Sequence, residues 1–237
     1  MTISCPPPPK FLEQCNKLDL VISEQQLVFL EEYLRILLET NQQFNLTAVR
    51  EPEEAWFRHI LDSIAILPLI DPNAKRLIDL GSGGGLPAIP LAIMLPDTQV
   101  VMVDSVGKKC AFLEDVVEAL ELNADVFNER AEVLGQDEDF RESFDVCTAR
   151  AVARMPILLE YMLPLTMVGG TAIAMKGRQG RQELKEAKQA IHKLGQPTVS
   201  VHQSRVEDDS VIICCKKNEE TPNQYPRPVG VPSSTPL

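Results

Sequence analysis

The sequence has little that would place it in a membrane, outside the cell or around a metal. Apolar runs such as Ile64–Ile70 and Val211–Cys215 are far too short to span a bilayer. The opening MTISCPPPPKF sets prolines where an export signal carries its apolar stretch, which makes the cytoplasm the expected location. The six cysteines (Cys5, Cys15, Cys110, Cys147, Cys214 and Cys215) include no CxxC pair and have no histidine at ligand spacing. No zinc site is therefore expected, nor any other metal. Cys214 and Cys215 are neighbours in a predicted strand, so their side chains point to opposite faces and are poorly placed to pair. Free thiols in a reducing compartment are the expectation. Basic residues are not in excess either: 23 Lys and Arg stand against 34 Asp and Glu, a net charge of −11. That balance argues against broad, non-specific nucleic-acid binding but leaves room for a local basic patch. No internal repeat and no Walker phosphate-binding pattern are present.

What is present is an ordinary core-forming composition, 44% apolar and 24% charged over 237 residues, enough for one large domain or one domain with an appendage. The Pro6–Pro9 run suits neither a helix nor a sheet interior. Ser23 with Gln26 reads as a capping box, and Leu27, Leu30, Leu34 and Leu37 follow at helical spacing to about Gln43. Pro52 opens a second helix carrying Trp56, Ile60, Ile64 and Leu67. From residue 75 the pattern changes to short apolar runs alternating with helices: RLIDL, TQVVMVD, ADVFN, FDVCTA and TAIAM, the last followed by the charged helix RQELKEAKQAIHKLG. Alternation of this kind predicts a mostly parallel sheet with helices on both faces. PTVSVHQ and SVIICC follow without an intervening helix and must pair antiparallel, giving seven strands with a terminal hairpin. The chain thus divides into an N-terminal helical segment (1–71) packed on the core, an α/β core (72–217) and an extended C-terminal tail (218–237). That proline-rich tail reads as a surface segment or disorder.

The segment RLIDLGSGGGLPAI joins the first predicted strand to a helix. Gly81 and Gly83 fit the first two places of the dinucleotide fingerprint GxGxxG, but Leu86 takes the third. Asp79 ends the strand just before the turn, badly placed for a cofactor with two phosphates and well placed for a cationic amino-acid moiety. Asp104 ends the next strand, 23 residues after Gly81, where an acid accepts hydrogen bonds from the two hydroxyls of a ribose. Either acid alone could equally be a helix N-cap. Together they describe a nucleoside carrying a positive amino acid and no phosphate, which is S-adenosylmethionine.

At these residues the chain resembles the bacterial 16S rRNA guanine-N7 methyltransferases, the RsmG (GidB) group. NLTAVREPEEAWFRHILDSIAIL (45–67), LIDLGSGGGLPAIPLAI (77–93), VDSVGKKCAFL (103–113), ERAE (129–132), FDVCTARAVA (144–153) and AMKG (174–177) follow in that family's order. The ending TPNQYPRPVGVPSSTPL resembles its tail. The glycine loop would match any methyltransferase; the HILDS and TARAVA segments make the likeness specific. The resemblance implies a seven-stranded, Rossmann-like S-adenosylmethionine-dependent methyltransferase sheet that methylates N7 of one guanine in 16S rRNA. It also implies cofactor contacts at Gly81, Leu86, Asp104, Ser105, Ala131, Glu132 and Arg150, to which the loop reading adds Asp79 and Gly83.

Guanine N7 presents an in-plane lone pair, so no general base is expected, and catalysis reduces to alignment of the reacting atoms. Candidates on the substrate side are Asn45, Arg58, His59, Arg150 and Lys176. His59 and Asp62 are three apart on one helix face, and Asp62 could simply orient His59. Arg58 suits a phosphate, and Arg150 suits the cofactor, a phosphate or a surface ion pair. Trp56 and Phe57 read as core, with base stacking as the alternative. Lys108 and Lys109 read as solvated helix charges or part of the site. From Met175 to Lys188 five basic residues (Lys176, Arg178, Arg181, Lys185, Lys188) face two acidic ones (Glu183, Glu186). With Arg58, Lys108, Lys109, Arg150 and Arg154, they suggest a small basic rim on an acidic body. Such a rim suits 16S rRNA within a structured or assembled small subunit, with no membrane and no obligate protein partner. A small-molecule methyltransferase on the same fold is the alternative.

Overall fold

The computed structural model describes residues 3–237. The apolar runs become seven strands, β1 (Arg76–Leu80), β2 (Gln99–Val103), β3 (Ala124–Phe127), β4 (Phe144–Arg150), β5 (Thr166–Lys176), β6 (Thr198–Gln203) and β7 (Val211–Lys216). They form one sheet in the order β3-β2-β1-β4-β5-β7-β6. The first five run parallel, and β7 is antiparallel to both β5 and β6. The order reverses between β1 and β4, and ligands of open α/β sheets bind beyond the carboxyl ends of the strands at such a point.

Alternation along each strand builds two cores. Leu77, Val100, Met102 and Cys214 face one side; Ile78, Val101, Val103 and Cys215 face the other. The neighbouring cysteines thus lie in different cores, and all six are free and buried.

On the first side lie α1 (Pro9–Lys17), α2 (Glu24–Asn41), α3 (Pro52–Ala55), α4 (Asp62–Ile64), α5 (Ala88–Met94) and α6 (Gly107–Ala119). Helices α7 (Ala131–Leu134), α8 (Met155–Met162), α9 (Gly180–Glu186) and α10 (Lys188–Lys193) serve the second, and α11 (Val231–Ser234) lies near the C-terminus. Helix α2 begins at the expected capping box: Ser23 Oγ accepts from the Gln26 amide, and Gln26 Oε1 accepts from the Ser23 amide. Pro9 sits in the first turn of α1, where its missing N–H costs nothing, so the proline run leads into a helix rather than excluding one.

Three expectations change. The helix from Pro52 is broken by a π-helical stretch, Trp56–Leu61, between α3 and α4. The charged helix after β5 is split at Ala187 into α9 and α10. The tail is neither disordered nor merely superficial. Tyr225 and Thr221 are buried, and Arg141 donates to the carbonyls of Thr221 and Tyr225. Glu160, with 0% exposure, accepts from the amide and guanidinium of Arg227 at 2.6–2.9 Å. Prolines prevent regular structure without preventing packing, and it is packing that orders this segment.

Candidate active site

The glycine turn lies at the reversal point, between β1 and α5. Gly81 (φ +65°), Gly83 (φ +57°) and Gly85 (φ +89°) all take left-handed conformations that side chains resist. At Gly81 a Cβ would also lie 2.7 Å from Val152, so the missing side chain keeps the turn open toward the loop after β4. The turn is held from behind by the Tyr33 hydroxyl of α2, which donates to the Gly84 carbonyl at 2.6 Å.

Asp79 is fully buried next to this turn. Strand register places it opposite Thr148 of β4, whose hydroxyl donates to Oδ1 at 2.7 Å. Its Oδ2 is buried and has no partner. Burial is the main cause that pushes the carboxyl up to about 6, opposed by Thr148, Ser82 and Arg150. A buried acceptor left open beside a glycine turn fits a cationic ligand group. Asp104, at the end of β2, accepts from the Gly83 amide at 3.0 Å and the Val106 amide at 2.9 Å. One bond per oxygen leaves the carboxylate two further acceptor positions, as two ribose hydroxyls require.

Two cavities flank these residues at the carboxyl edge of the sheet. The smaller, about 270 Å³, is lined by Gly81, Asp104, Ser105, Ala131 and Glu132, together with Val106, Val152 and Tyr161. The larger, about 530 Å³, contains Arg58, His59, Asp62, Arg150 and Lys176, and Ala151 lines both. The structure thus gathers most of the sequence candidates into two adjoining spaces. Three lie apart. Leu86 is buried in the core, Gly83 meets the site through its amide, and Asn45 is exposed outside the cavity lining.

The substrate-side candidates are arranged differently from what helical spacing implies. Asp62 does not orient His59. It pairs with Arg150 at 3.1 Å, while Arg150 also donates to the Arg58 carbonyl. His59 Nε2 instead meets the Thr47 hydroxyl at 2.7 Å, and its Nδ1 is buried without a partner. The reason is the π-helical stretch, whose wider turn breaks the i, i+3 alignment and directs Asp62 to the β4 cation. Burial, then Arg150, lowers His59 to about 4, so the ring is neutral at pH 7. Trp56 is core: it is fully buried and its indole N–H donates to the Cys5 carbonyl. Phe57 packs against that core beside Phe11.

The basic rim is mostly neutralised by its own neighbours. Lys176 pairs with Glu183 at 2.7 Å and donates to the Ala153 carbonyl; Arg154 meets Glu186 and Arg178 meets Asp209. Arg58 lies between Glu54 and Glu207, and Lys109 approaches Asp104 at 3.9 Å. Among the described residues, Lys108, Arg181, Lys185 and Lys188 have no carboxylate partner.

Sequence reasoning missed Thr148, Thr47, Tyr33 and Asn41. The Asn41 side chain braces the turn after α2 by accepting from Leu46 and Thr47 and donating to the Thr47 carbonyl. Thr148 stood in view within FDVCTAR, but a strand threonine gains meaning only once register sets it against Asp79. Among the described residues no helix is long and apolar enough to cross a membrane. They also contain no cluster of three metal-binding side chains.

Asp79 and His59 shift in opposite senses, which gives a pH test. An acid raised to about 6 in the fold makes stability fall as pH rises from about 4 to 6. A histidine lowered to about 4 makes stability fall as pH drops from about 6.5 to 4. The two trends oppose each other in the native chain. In denaturant titrations, Asp79→Asn is expected to uncover a loss of stability toward acid, and His59→Gln a loss toward neutrality. Identical slopes in both variants would contradict the assignments.

A seven-stranded sheet of this order, with acids ending adjacent strands around a glycine turn, defines a Rossmann-like methyltransferase fold. An O-methyltransferase from Bacillus cereus, solved in complex with SAH, aligns with a TM-score of 0.59 and 19% identity, over 87% of this chain and 97% of that one. The O-methyltransferase TomG from Streptomyces achromogenes, in complex with SAM, gives a TM-score of 0.59 at 15% identity, over 87% and 96%. Sequence comparison is more particular. The family model described as rRNA small subunit methyltransferase G matches residues 26–212. Ribosomal RNA small subunit methyltransferase G of Carboxydothermus hydrogenoformans is 41% identical over 92% of this chain and 94% of its own length. The protein of the same name from Leuconostoc citreum is 37% identical over 96% and 98%. The chain belongs to the rRNA small subunit methyltransferase G family.

Proposed function

We propose that this chain transfers a methyl group from S-adenosylmethionine to N7 of a guanine in 16S rRNA, acting in the cytoplasm on a structured small subunit. The observation that carries this reading is the pair of cavities meeting at Ala151, one walled by Asp104 and the glycine turn, the other by Arg58, His59 and Arg150. The volume of the second lies within the range of small-molecule pockets and suits one extruded nucleotide.

S-adenosylmethionine, when bound, supplies an electrophilic methyl on a positively charged sulfur. Asp104 would hold its ribose, the open Oδ2 of Asp79 its ammonium group, and Gly81, Ser105, Ala131 and Glu132 would shape the groove. On the other side, the chain has to hold guanine N7 in line with the methyl, and N7 needs no proton removed. Positive charge grows on the guanine as the bond forms, so an unpaired cation beside the base would oppose the reaction. Here Arg150 is paired with Asp62 and Lys176 with Glu183, so the inner cavity carries its cations already compensated. His59, held neutral by burial, adds no charge. Arg58 lies at the mouth, where a phosphate would pass. The helical segment before β1 supplies this substrate wall and the sheet supplies the cofactor groove, so both are needed in one catalytic unit.

Incubation with labelled S-adenosylmethionine and undermethylated small subunits tests the reading. Label is expected in 16S rRNA, recovered as N7-methylguanosine after nucleoside digestion. Label in a small metabolite with none in RNA would overturn it, as would methylation at another atom of the base.

A further inference from the structure

We propose that the β6–β7 turn is an acidic cover over the RNA-contacting cations, and that it sets which RNA the enzyme accepts. The proposal deepens the rRNA reading above by assigning a specificity role to Glu207 and Asp209. Because β7 runs antiparallel to β5, with Lys176 opposite Val211, the turn 204–210 falls at the same edge as Arg150 and Lys176. Residues Ser204, Glu207 and Ser210 line the larger cavity.

The turn is built to present its acids. Ser204 Oγ accepts from the amides of Val206 and Glu207, and Ser210 donates to Glu207 Oε2 at 3.0 Å. Arg205 anchors its outer side on the carbonyls of Lys17 and Leu18. Glu207 Oε1 then faces Arg58 Nε at 3.5 Å, and Asp209 pairs with Arg178. The four cations lining the larger cavity fall into two kinds. Arg150 and Lys176 are held by inward acids with little exposure, whereas Arg58 and Arg178 are more than half exposed and held by the turn, Arg58 also by Glu54. Exposed pairs contribute little to stability and are weakened by salt. A polyanion that brings phosphates to Arg58 and Arg178 together can therefore displace Glu207 and Asp209 at small cost. RNA that offers one phosphate, or none in the right place, meets the negative turn instead. The cover acts against wrong partners rather than for the right one.

The test is binding of a 20-nucleotide single-stranded RNA, without cofactor, to the full chain and to E207Q/D209N. In this variant Arg178 is freed and Arg58 keeps only Glu54. Binding is expected to tighten about tenfold at 50 mM salt, with the salt dependence steeper by about 0.7 for each cation that then meets a phosphate. The variant should also lose preference for assembled subunits over naked rRNA. D209N alone, a change between two exposed side chains, should give part of the gain. E118Q/E138Q removes the same charge from exposed residues leading into β3 and β4, and should change binding less than twofold. Equal gains in both double variants, or no gain in E207Q/D209N, would overturn the proposal. Methyl transfer is read separately: absence of rRNA methylation together with a binding gain would remove the rRNA reading and leave the cover in place.

Discussion

Replacing Arg227 by alanine is expected to lower the unfolding free energy by about 3–5 kcal/mol, the range for a buried ion pair that loses one partner. Glu160 lies in α8 with no exposure, and both its oxygens are used by Arg227. Without the guanidinium, the buried carboxylate keeps only the Arg227 amide and stands uncompensated. The lower end of the range fits best, because that amide bond survives and the arginine side chain is 21% exposed, so water can enter. The loss should spread beyond the pair. The tail is also tied to the body by Arg141, Gln136 and the bond from the Gly230 amide to Glu132, a wall of the smaller cavity. Weaker S-adenosylmethionine binding should therefore accompany the lower stability. Denaturant unfolding and calorimetry on the same sample check both. An unchanged midpoint would mean that the Arg227–Glu160 pair contributes nothing to stability.

Asp104→Ala is expected to weaken S-adenosylmethionine binding by about 1.5–3 kcal/mol, roughly 10- to 150-fold, the usual worth of a hydrogen bond to a charged group. Two losses act together. The ligand would lose the acceptor proposed for its ribose, and the amides of Gly83 and Val106 lose the carboxylate that fixes the glycine turn to the start of α6. Asp104→Asn separates them. One amide oxygen can still take a backbone N–H, so the turn keeps part of its support while the ligand loses the negative charge. Calorimetry with the cofactor alone measures each variant, and an affinity equal to the native chain's for Asp104→Ala would remove Asp104 from the site. A fall in rRNA methylation without a fall in affinity would place it on the turn geometry instead.

Much of the fold was legible because the information is periodic. Alternating runs and helical spacing fix which residues face a core, and the loss of an intervening helix before SVIICC forces an antiparallel last pair. The clustering of the residues proposed for the cofactor was legible for a similar reason: Asp79, the glycines and Asp104 sit at strand ends, and strand ends share one edge of a parallel sheet wherever the strands fall in order. The substrate side was not. His59 and Asp62 look like partners at helical spacing, yet the π-helical stretch between Trp56 and Leu61 turns Asp62 to Arg150, 88 positions away. A backbone irregularity of this kind follows from packing across the core and leaves no periodic trace.

The basic residues were visible too, but their net effect was not. Counting Met175–Lys188 gives a positive stretch, whereas the fold brings Asp209 and Glu183 onto Arg178 and Lys176. Charge along the chain is a sum, while charge at a site depends on distance, and only the fold sets distance. The same reason explains the tail, whose composition reads as a surface segment or disorder until Glu160 is found buried beneath Arg227. The sequence by itself determined the sheet, the glycine turn, the acids at the strand ends and the family. The tertiary structure decided which charges are compensated around the cavity and which stay unpaired away from it, because pairing between distant residues depends on where the strands bring them.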